Sequence, residues 1–309
     1  MKHPIKVVYI MGVFRSGSTV FDTFLGNLPD FVSAGELVNV YQHAWEEGLY
    51  CACGAPGNEC LFWTHVRRKW EVAVGHLDLE RTIKTQHYLE RFVRWPLLLL
   101  QRLRKSKRFR EYERDVRALY EAVREESGSA IVVDSSKNPG RGLALSMVDG
   151  IELSVIHLVR DGRGVAWSCL KSFEVEREKG LQVRLRPVPA WRTTIRWVAI
   201  NLSASIICRL FTRRSLRIRY EDFVDHPGRV LDQVAEFLDA DVTALKASIA
   251  AGKPLTTRHT IAGNRVRMNR EIALEHDAEW RTGLSWRDRA VFWSLAGGLA
   301  RIYGYERDS

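Results

Sequence analysis

Cysteine is scarce in this chain and unevenly placed. There are five, an odd number, and Cys51, Cys53 and Cys60 fall within one short stretch, CACGAPGNEC. That usage points to a reducing, cytoplasmic compartment. The stretch reads as a turn with buried thiols rather than a metal site, because C-x-C is not the spacing of common zinc modules. A zinc site completed by His43 or His65, and a Cys51–Cys60 or Cys53–Cys60 disulfide, are the other readings. Long apolar runs are missing too. None reaches the ~18 uncharged residues of a membrane span, and the nearest, Trp197 to Leu210, is interrupted by Asn201 and Arg209. The first residues, MKHPIKVVYIM, lack the long apolar region and cleavage site of a signal peptide. No repeat, low-complexity segment or linker divides the 309 residues, so one domain over 1–309 is expected. Acid is in deficit: 37 Asp and Glu stand against 47 Lys and Arg, for a net charge of +10. Such a balance suits an anionic ligand, nucleic acid or an anionic membrane surface, and does not choose among them.

What is present centres on Lys6 to Thr19, KVVYIMGVFRSGST. Val7 to Met11 is an unbroken apolar run, as in a parallel strand covered on both faces. The chain turns at Gly12, passes Arg15, Ser16 and Gly17, and enters a helix at Ser18-Thr19 that stops near Gly26-Asn27. A strand, a glycine-bounded loop and a helix N-terminus together make an anion cradle of backbone amides. Gly12, Gly17 and Thr19 keep the spacing of a nucleoside-triphosphate P-loop, but Ser18 stands where that loop has its lysine. With Arg15 inside it, the loop suits a shorter anion such as a 5′-phosphosulfate. The other reading is a Gly-Ser turn that only connects strand to helix.

Further strands are expected at Phe31–Ser33, beside the first, and at Ser129–Ser136, Ile151–Val159 and Leu216–Tyr220. Their C-terminal ends carry chemistry, which is where open parallel sheets bind ligands. Glu36 follows the Phe31 strand. It reads locally as a solvated glutamate in a first helical turn, or else as a base. Asp134 and Lys137 end the Ser129 strand, and Asp134 on its apolar run also resembles a Walker B aspartate. Arg160 ends the next strand, and Ser168 lies on the helix that follows. The two can converge on one phosphate, or Arg160 and Arg163 can simply pair with Asp161 or a neighbouring strand end. Residues 175–190 read as a loop or lid. His259 to Asn269 carries a Gly-Asn turn at Asn264, flanked by Arg258, Arg265 and Arg267, and resembles an anion-binding loop. Residues 61–127 read as a helical insertion, with Pro96 breaking or starting a helix. Residues 92–110, apolar and then basic, read as a core helix running on into a charged solvated one, or as a peripheral membrane contact. Trp280 to Tyr303 reads as helical.

These motifs together resemble the sulfotransferases that use 3′-phosphoadenosine 5′-phosphosulfate (PAPS). FRSGST is similar to their 5′-phosphosulfate loop and VRDGRGVAWS to their 3′-phosphate motif. AGE, SKNP and RYEDFVDHP are most similar to the bacterial and tyrosylprotein branch, and the resemblance runs from Val7 to about Trp280. It implies an α/β, P-loop-like three-layer fold with a central parallel sheet flanked by helices. It implies that Arg15, Ser16, Gly17, Ser18 and Thr19 hold the 5′-phosphosulfate, and Arg160 and Ser168 the 3′-phosphate. Tyr220 would lie on the adenine side, with Asn264 and Arg265 or Arg267 closing over the nucleotide. Glu36 matches a catalytic glutamate, and no histidine occupies an equivalent place. Arg15 and Lys137 would stabilise charge on the transferred group, with no metal required. The expected activity is transfer of a sulfuryl group from PAPS to a hydroxyl of a small molecule, carbohydrate or lipid-linked acceptor, leaving adenosine 3′,5′-bisphosphate (PAP). Nucleic acid is not an expected partner. The alternatives are a P-loop kinase or NTPase, favoured by Asp134 and opposed by Ser18, and a non-catalytic polyanion-binding protein, favoured by the charge.

Overall fold

The structure, a computed structural model, describes residues 4–75, 78–91, 94–181, 184–275 and 277–307. The apolar run near the N-terminus is strand β1 (Ile5–Met11), and helix α1 (Ser18–Gly26) follows the Gly12–Gly17 loop. Strands β2 (Phe31–Ser33), β3 (Ile131–Lys137), β4 (Ile151–Val159) and β5 (Arg214–Arg219) complete a parallel sheet in the order β2-β3-β1-β4-β5. The pleat sends alternate β1 side chains to opposite faces. Val7, Tyr9 and Met11 join one apolar cluster, Val8 and Ile10 the other. Burial on both faces is why the sequence shows no polar alternation here. The fold is α/β and P-loop-like, with helices on both sides of the sheet.

One strand is not where the sequence suggested. β2 does not lie beside β1; β3 stands between them, and Phe31 pairs with Ile131. Both sides of β1 are taken by the longer apolar strands β3 and β4, which offer it more ladder bonds. The three-residue β2 is left at the edge, where short strands are tolerated.

The insertion between β2 and β3 comprises α2 (Leu61–Val74), α3 (Leu79–Glu90), α4 (Trp95–Leu99) and α5 (Lys107–Ser127). Pro96 sits in the first turn of α4. The helix expected to run on through residues 92–110 is broken at Ser106. The Ser106 backbone donates to Gln101 Oε1 (2.8 Å), and Ser106 Oγ accepts from the Phe109 amide (3.2 Å), capping α5 afresh. Leu97, Leu100 and Leu103 are exposed just before this cap. Residues 92 and 93 of that stretch lie outside the described residues, and no described helix is long and apolar enough to cross a membrane.

A buried ionic group fastens the insertion to the sheet. Arg141, on α6 (Pro139–Leu145), is fully buried between Glu90 at the end of α3 and Asp134 on β3. Tyr112 and Tyr120 of α5 donate to the same two carboxylates. Asp134 is therefore turned into the protein, which removes the Walker B likeness.

Helices α7 (Gly162–Leu170) and α8 (Ala190–Leu210) follow β4. The β4 residue His157 is buried against α8, with Nε2 donating to Asn201 Oδ1 (3.0 Å). Burial pushes its imidazole down to about 4. The unfolded chain takes up that proton near pH 6.5, before the native state does. The contribution of His157 to stability should therefore be full above about pH 6.5 and fall by about 3 kcal/mol as pH drops to about 4. In urea melts across this window, His157→Gln should show a correspondingly flatter pH dependence; equal slopes would exclude His157 as the cause.

Beyond β5, the chain forms α9 (Tyr220–Asp225), α10 (Pro227–Leu238) and α11 (Thr243–Ala250). The short strands β6 (Leu255–Thr256) and β7 (Glu271–Ile272) then pair across the arginine-rich loop. The C-terminal helical segment is divided into α12 (Trp280–Gly283) and α13 (Trp286–Ile302). Ser285 Oγ breaks it by capping the Asp288 amide at 3.1 Å.

Candidate active site

The anion loop has the backbone its sequence requires. Arg15 and Gly17 both take left-handed conformations, with φ of 66° and 83°. A Cβ at Gly17 would run into the Tyr220 ring, so only glycine fits under that aromatic. Ser16 is fully buried beneath the loop, and its hydroxyl has no partner among the described residues. A buried hydroxyl without a partner is costly unless a ligand completes it. Thr19 Oγ1 accepts from the Asn264 amide at 3.0 Å, tying the loop to the distant Gly-Asn turn.

One cleft of about 540 Å³ gathers most of the residues singled out in the sequence. Arg15, Gly17, Ser18, Thr19, Glu36, Lys137, Arg160, Ser168, Tyr220, Asn264 and Arg265 all line it. Its charge is concentrated. Arg15 and Arg265 lie over the same Phe173 ring, at 5.7 and 4.9 Å from its centroid. Arg160 lies over the Tyr220 ring at 4.6 Å and donates to the Arg15 carbonyl at 2.9 Å. Burial, reinforced by the nearby charges of Arg265 and Arg160 and partly offset by Cys169, holds the Arg15 guanidinium below its ordinary value. Like charges this close favour an anion between them. Arg160 pairs with Asp277 (2.7 Å), not with Asp161. Arg163 does pair with Asp161 (2.7 Å) and caps the C-terminal carbonyls of Glu306 and Arg307, away from the cleft.

Glu36 and Lys137 form an ion pair on the cleft wall, both side chains nearly buried. Glu36 is thus not the solvated glutamate its local pattern suggested. Its backbone is held by the Ile261 carbonyl (2.9 Å), and its second carboxylate oxygen accepts from Asn39 Nδ2 (3.0 Å). Lys137 takes a left-handed backbone at the end of β3 (φ 67°), which turns its ammonium back onto Glu36 and the Ser135 carbonyl. Strain of this kind is kept where the surroundings over-determine it. Opposite them, a Cβ at Gly263 would stand 2.8 Å from Thr19 Oγ1 and 3.3 Å from Glu36 Oε1. The close approach of this loop to both groups needs a glycine.

Arg267 is not brought to the cleft. It is fully buried and donates to the carbonyls of Gly180 (3.1 Å), Gly263 (3.3 Å) and Tyr50 (3.1 Å), bracing the loop from behind. Sequence reasoning missed Phe173, Lys171 and Asp277. Lys171 and Phe173 lie just beyond VRDGRGVAWS in a charged stretch where only the aromatic stands out. Asp277 is 117 residues from Arg160 and carries no local signal. The stretch expected to act as a lid does reach the cleft. Bridges Phe173–Leu185 and Glu176–Leu181 fold it back, and Phe173, Leu181 and Leu185 line the wall.

A parallel α/β sheet with a lysine-free anion loop at its centre defines a P-loop-like nucleotide-binding class. A sequence profile of the sulfotransferase family matches residues 7–244, and the chain belongs to that family. No curated protein matches it. Among solved structures it is similar to the sulfotransferase domain from the curacin biosynthetic pathway, at 16% identity and a TM-score of 0.52, covering 99% of each chain. It is also similar to the sulfotransferase domain of the Synechococcus PCC 7002 olefin synthase, at 17% identity and a TM-score of 0.50, over 99% of this chain and 97% of that one. The sulfotransferase STF9 from Mycobacterium avium matches at 13% identity and a TM-score of 0.50, over 98% of this chain and 78% of that one. At these identities the likeness is one of fold.

Proposed function

We propose that this sulfotransferase takes its sulfuryl group from PAPS and delivers it to a hydroxyl of a small molecule, carbohydrate or lipid-linked acceptor, releasing PAP. The observation that carries the reading is the arginine group Arg15, Arg160 and Arg265 around a loop whose lysine position is Ser18 and whose buried Ser16 hydroxyl lacks a partner among the described residues. PAPS, when bound, supplies an activated sulfuryl group on its 5′-phosphate. The loop amides of residues 16–19, the Ser16 and Thr19 hydroxyls and Arg15 would hold that end. Arg160 and Ser168 would hold the 3′-phosphate, with Asp277 giving up its place on Arg160. Tyr220 would stack beside the nucleotide, and Asn264 and Arg265 would close over it.

Glu36 is the base in this reading. It takes the acceptor hydroxyl's proton as the new S–O bond forms and the bond to the phosphate oxygen breaks, the electron pair leaving on that oxygen. Lys137 and Arg15 neutralise charge on the transferred group and on the leaving phosphate. The exposed Leu97, Leu100 and Leu103 beside basic residues 102–110 would suit an amphiphilic acceptor at a membrane surface.

Calorimetric titration with PAP in the absence of metal, and separately with ATP and Mg²⁺, tests the donor. PAP should bind without metal. Binding of ATP only with Mg²⁺ would restore the kinase reading, which the burial of Asp134 opposes. Binding of neither, with salt-sensitive polyanion binding, would favour the non-catalytic reading.

A further inference from the structure

Away from the cleft, the fold completes the cysteine stretch with a histidine from the far end of the chain. One ligand atom from each of Cys51, Cys53, Cys60 and His259 lies within 4.8 Å of every other. His43 and His65 take no part. His43 pairs with Glu47 and His65 with Glu126.

The spacings are those of a coordination shell. A tetrahedral zinc with Zn–S near 2.3 Å and Zn–N near 2.0–2.1 Å sets its sulfurs about 3.8 Å apart, and sulfur from nitrogen about 3.5 Å. Here Cys53 Sγ and Cys60 Sγ are 3.6 Å apart. His259 Nδ1 is 3.5 Å from Cys60 Sγ and 3.9 Å from Cys51 Sγ. All five cysteines are free thiols, and the sulfurs lie well beyond a disulfide bond length. The ligands are also held in place. Gly54 (φ 91°) turns the chain between Cys53 and the Cys51 carbonyl, which accepts the Gly54 amide at 2.9 Å. Cys60 sits at the N-terminus of α2. The His259 ring stacks flat on Phe62 (5.0 Å, 5°), and its carbonyl accepts from Trp63 Nε1 at 2.8 Å.

We propose that Cys51, Cys53, Cys60 and His259 form a structural zinc site that locks the insertion to the loop leading into the cleft. Four protein ligands leave no open position, so the metal would be structural, not catalytic. His259 begins a strand-like run whose Thr260 carbonyl accepts the Ala52 amide (3.0 Å), and whose Ile261 exchanges backbone bonds with Ala34 and Glu36 (3.3 and 2.9 Å). That run ends at Gly263 and Asn264, against Thr19. A metal at its start would fix the position of the Glu36 backbone and of the Gly-Asn turn. The thiolates it requires are those a reducing compartment preserves.

The test needs no enzyme assay, so it stands or falls apart from the choice of donor. The full chain, purified under reducing conditions without a polyhistidine tag, should hold about one zinc per molecule by elemental analysis. After removal of zinc with a chelator, Co²⁺ should restore the site with thiolate charge-transfer and tetrahedral d–d absorption bands. Cys53→Ser, at the exposed corner, and His259→Ala should each weaken zinc retention against a chelator by more than about tenfold. His65→Ala should retain zinc like the wild type. Folding of the Cys53→Ser chain is checked by circular dichroism, so loss of metal is not confused with loss of fold. A wild-type chain that takes up no zinc from an equimolar solution would overturn the proposal. So would zinc retention unchanged in both Cys53→Ser and His259→Ala, or a Cys53–Cys60 or Cys51–Cys60 disulfide in non-reduced peptide maps of fresh protein.

Discussion

Glu36→Gln should lower kcat by about 10²-fold or more while PAP affinity stays near that of the wild type. The substitution keeps the shape of the side chain and its contact with Asn39, but removes the carboxylate that can take a proton. Glu36 lies on the cleft wall beside Lys137, both nearly buried, and the Ile261 carbonyl fixes its backbone. If Glu36 is the base, as proposed, its loss should be felt in the chemical step, because proton removal from the acceptor hydroxyl would belong to the transition state. Losing the charge partner of Lys137 also costs stability, so a melting curve accompanies the kinetics. A folded Glu36→Gln chain with unchanged kcat would remove Glu36 from the base role and leave it as the partner that orients Lys137.

Arg15→Ala and Arg160→Ala should each weaken PAP binding by about 10²-fold in metal-free calorimetry, the range of a lost charge-assisted contact in a partly dry site. The two act at different ends of the nucleotide in the proposed reading. Arg15 belongs to the loop under Gly17, and Arg160 to the end of β4 beside Ser168. Truncation of Arg160 also frees Asp277, its present partner at 2.7 Å. Asp277→Asn should therefore act in the opposite direction, tightening PAP binding because a competing carboxylate is gone. Affinity unchanged in both arginine variants would mean that PAP does not use this cleft.

Much of this molecule is readable locally. The Val7–Met11 run, the Gly12–Gly17 loop and the start of α1 follow from a doubly buried strand and from the φ requirements of glycine. The order of strand ends bearing Glu36, Lys137, Arg160 and Tyr220 also lies in plain view, because residues at strand ends project beyond the sheet whatever its order. For that reason nearly all the residues named from motifs meet in one cleft.

Other features depend on pairs far apart in the chain. Whether β2 lies beside β1 or beyond β3 is a competition among strands for the two sides of β1, and no strand's own sequence records the outcome. Asp134 has the pattern of a ligand-facing aspartate, but Arg141, Tyr120 and Glu90 close around it from three helices. Arg267 has the look of an anion-binding arginine, and the backbone carbonyls of Gly180, Gly263, Asn264 and Tyr50 claim it instead. The cysteine stretch suggested a metal only with a nearby histidine, whereas the histidine that completes it lies 199 residues beyond Cys60. The sequence by itself determined the local pieces, since strand burial, turn conformation and helix starts depend on neighbouring residues. Only the tertiary structure decided which charges are neutralised inside and which face the cleft, because that follows from sheet order and loop closure.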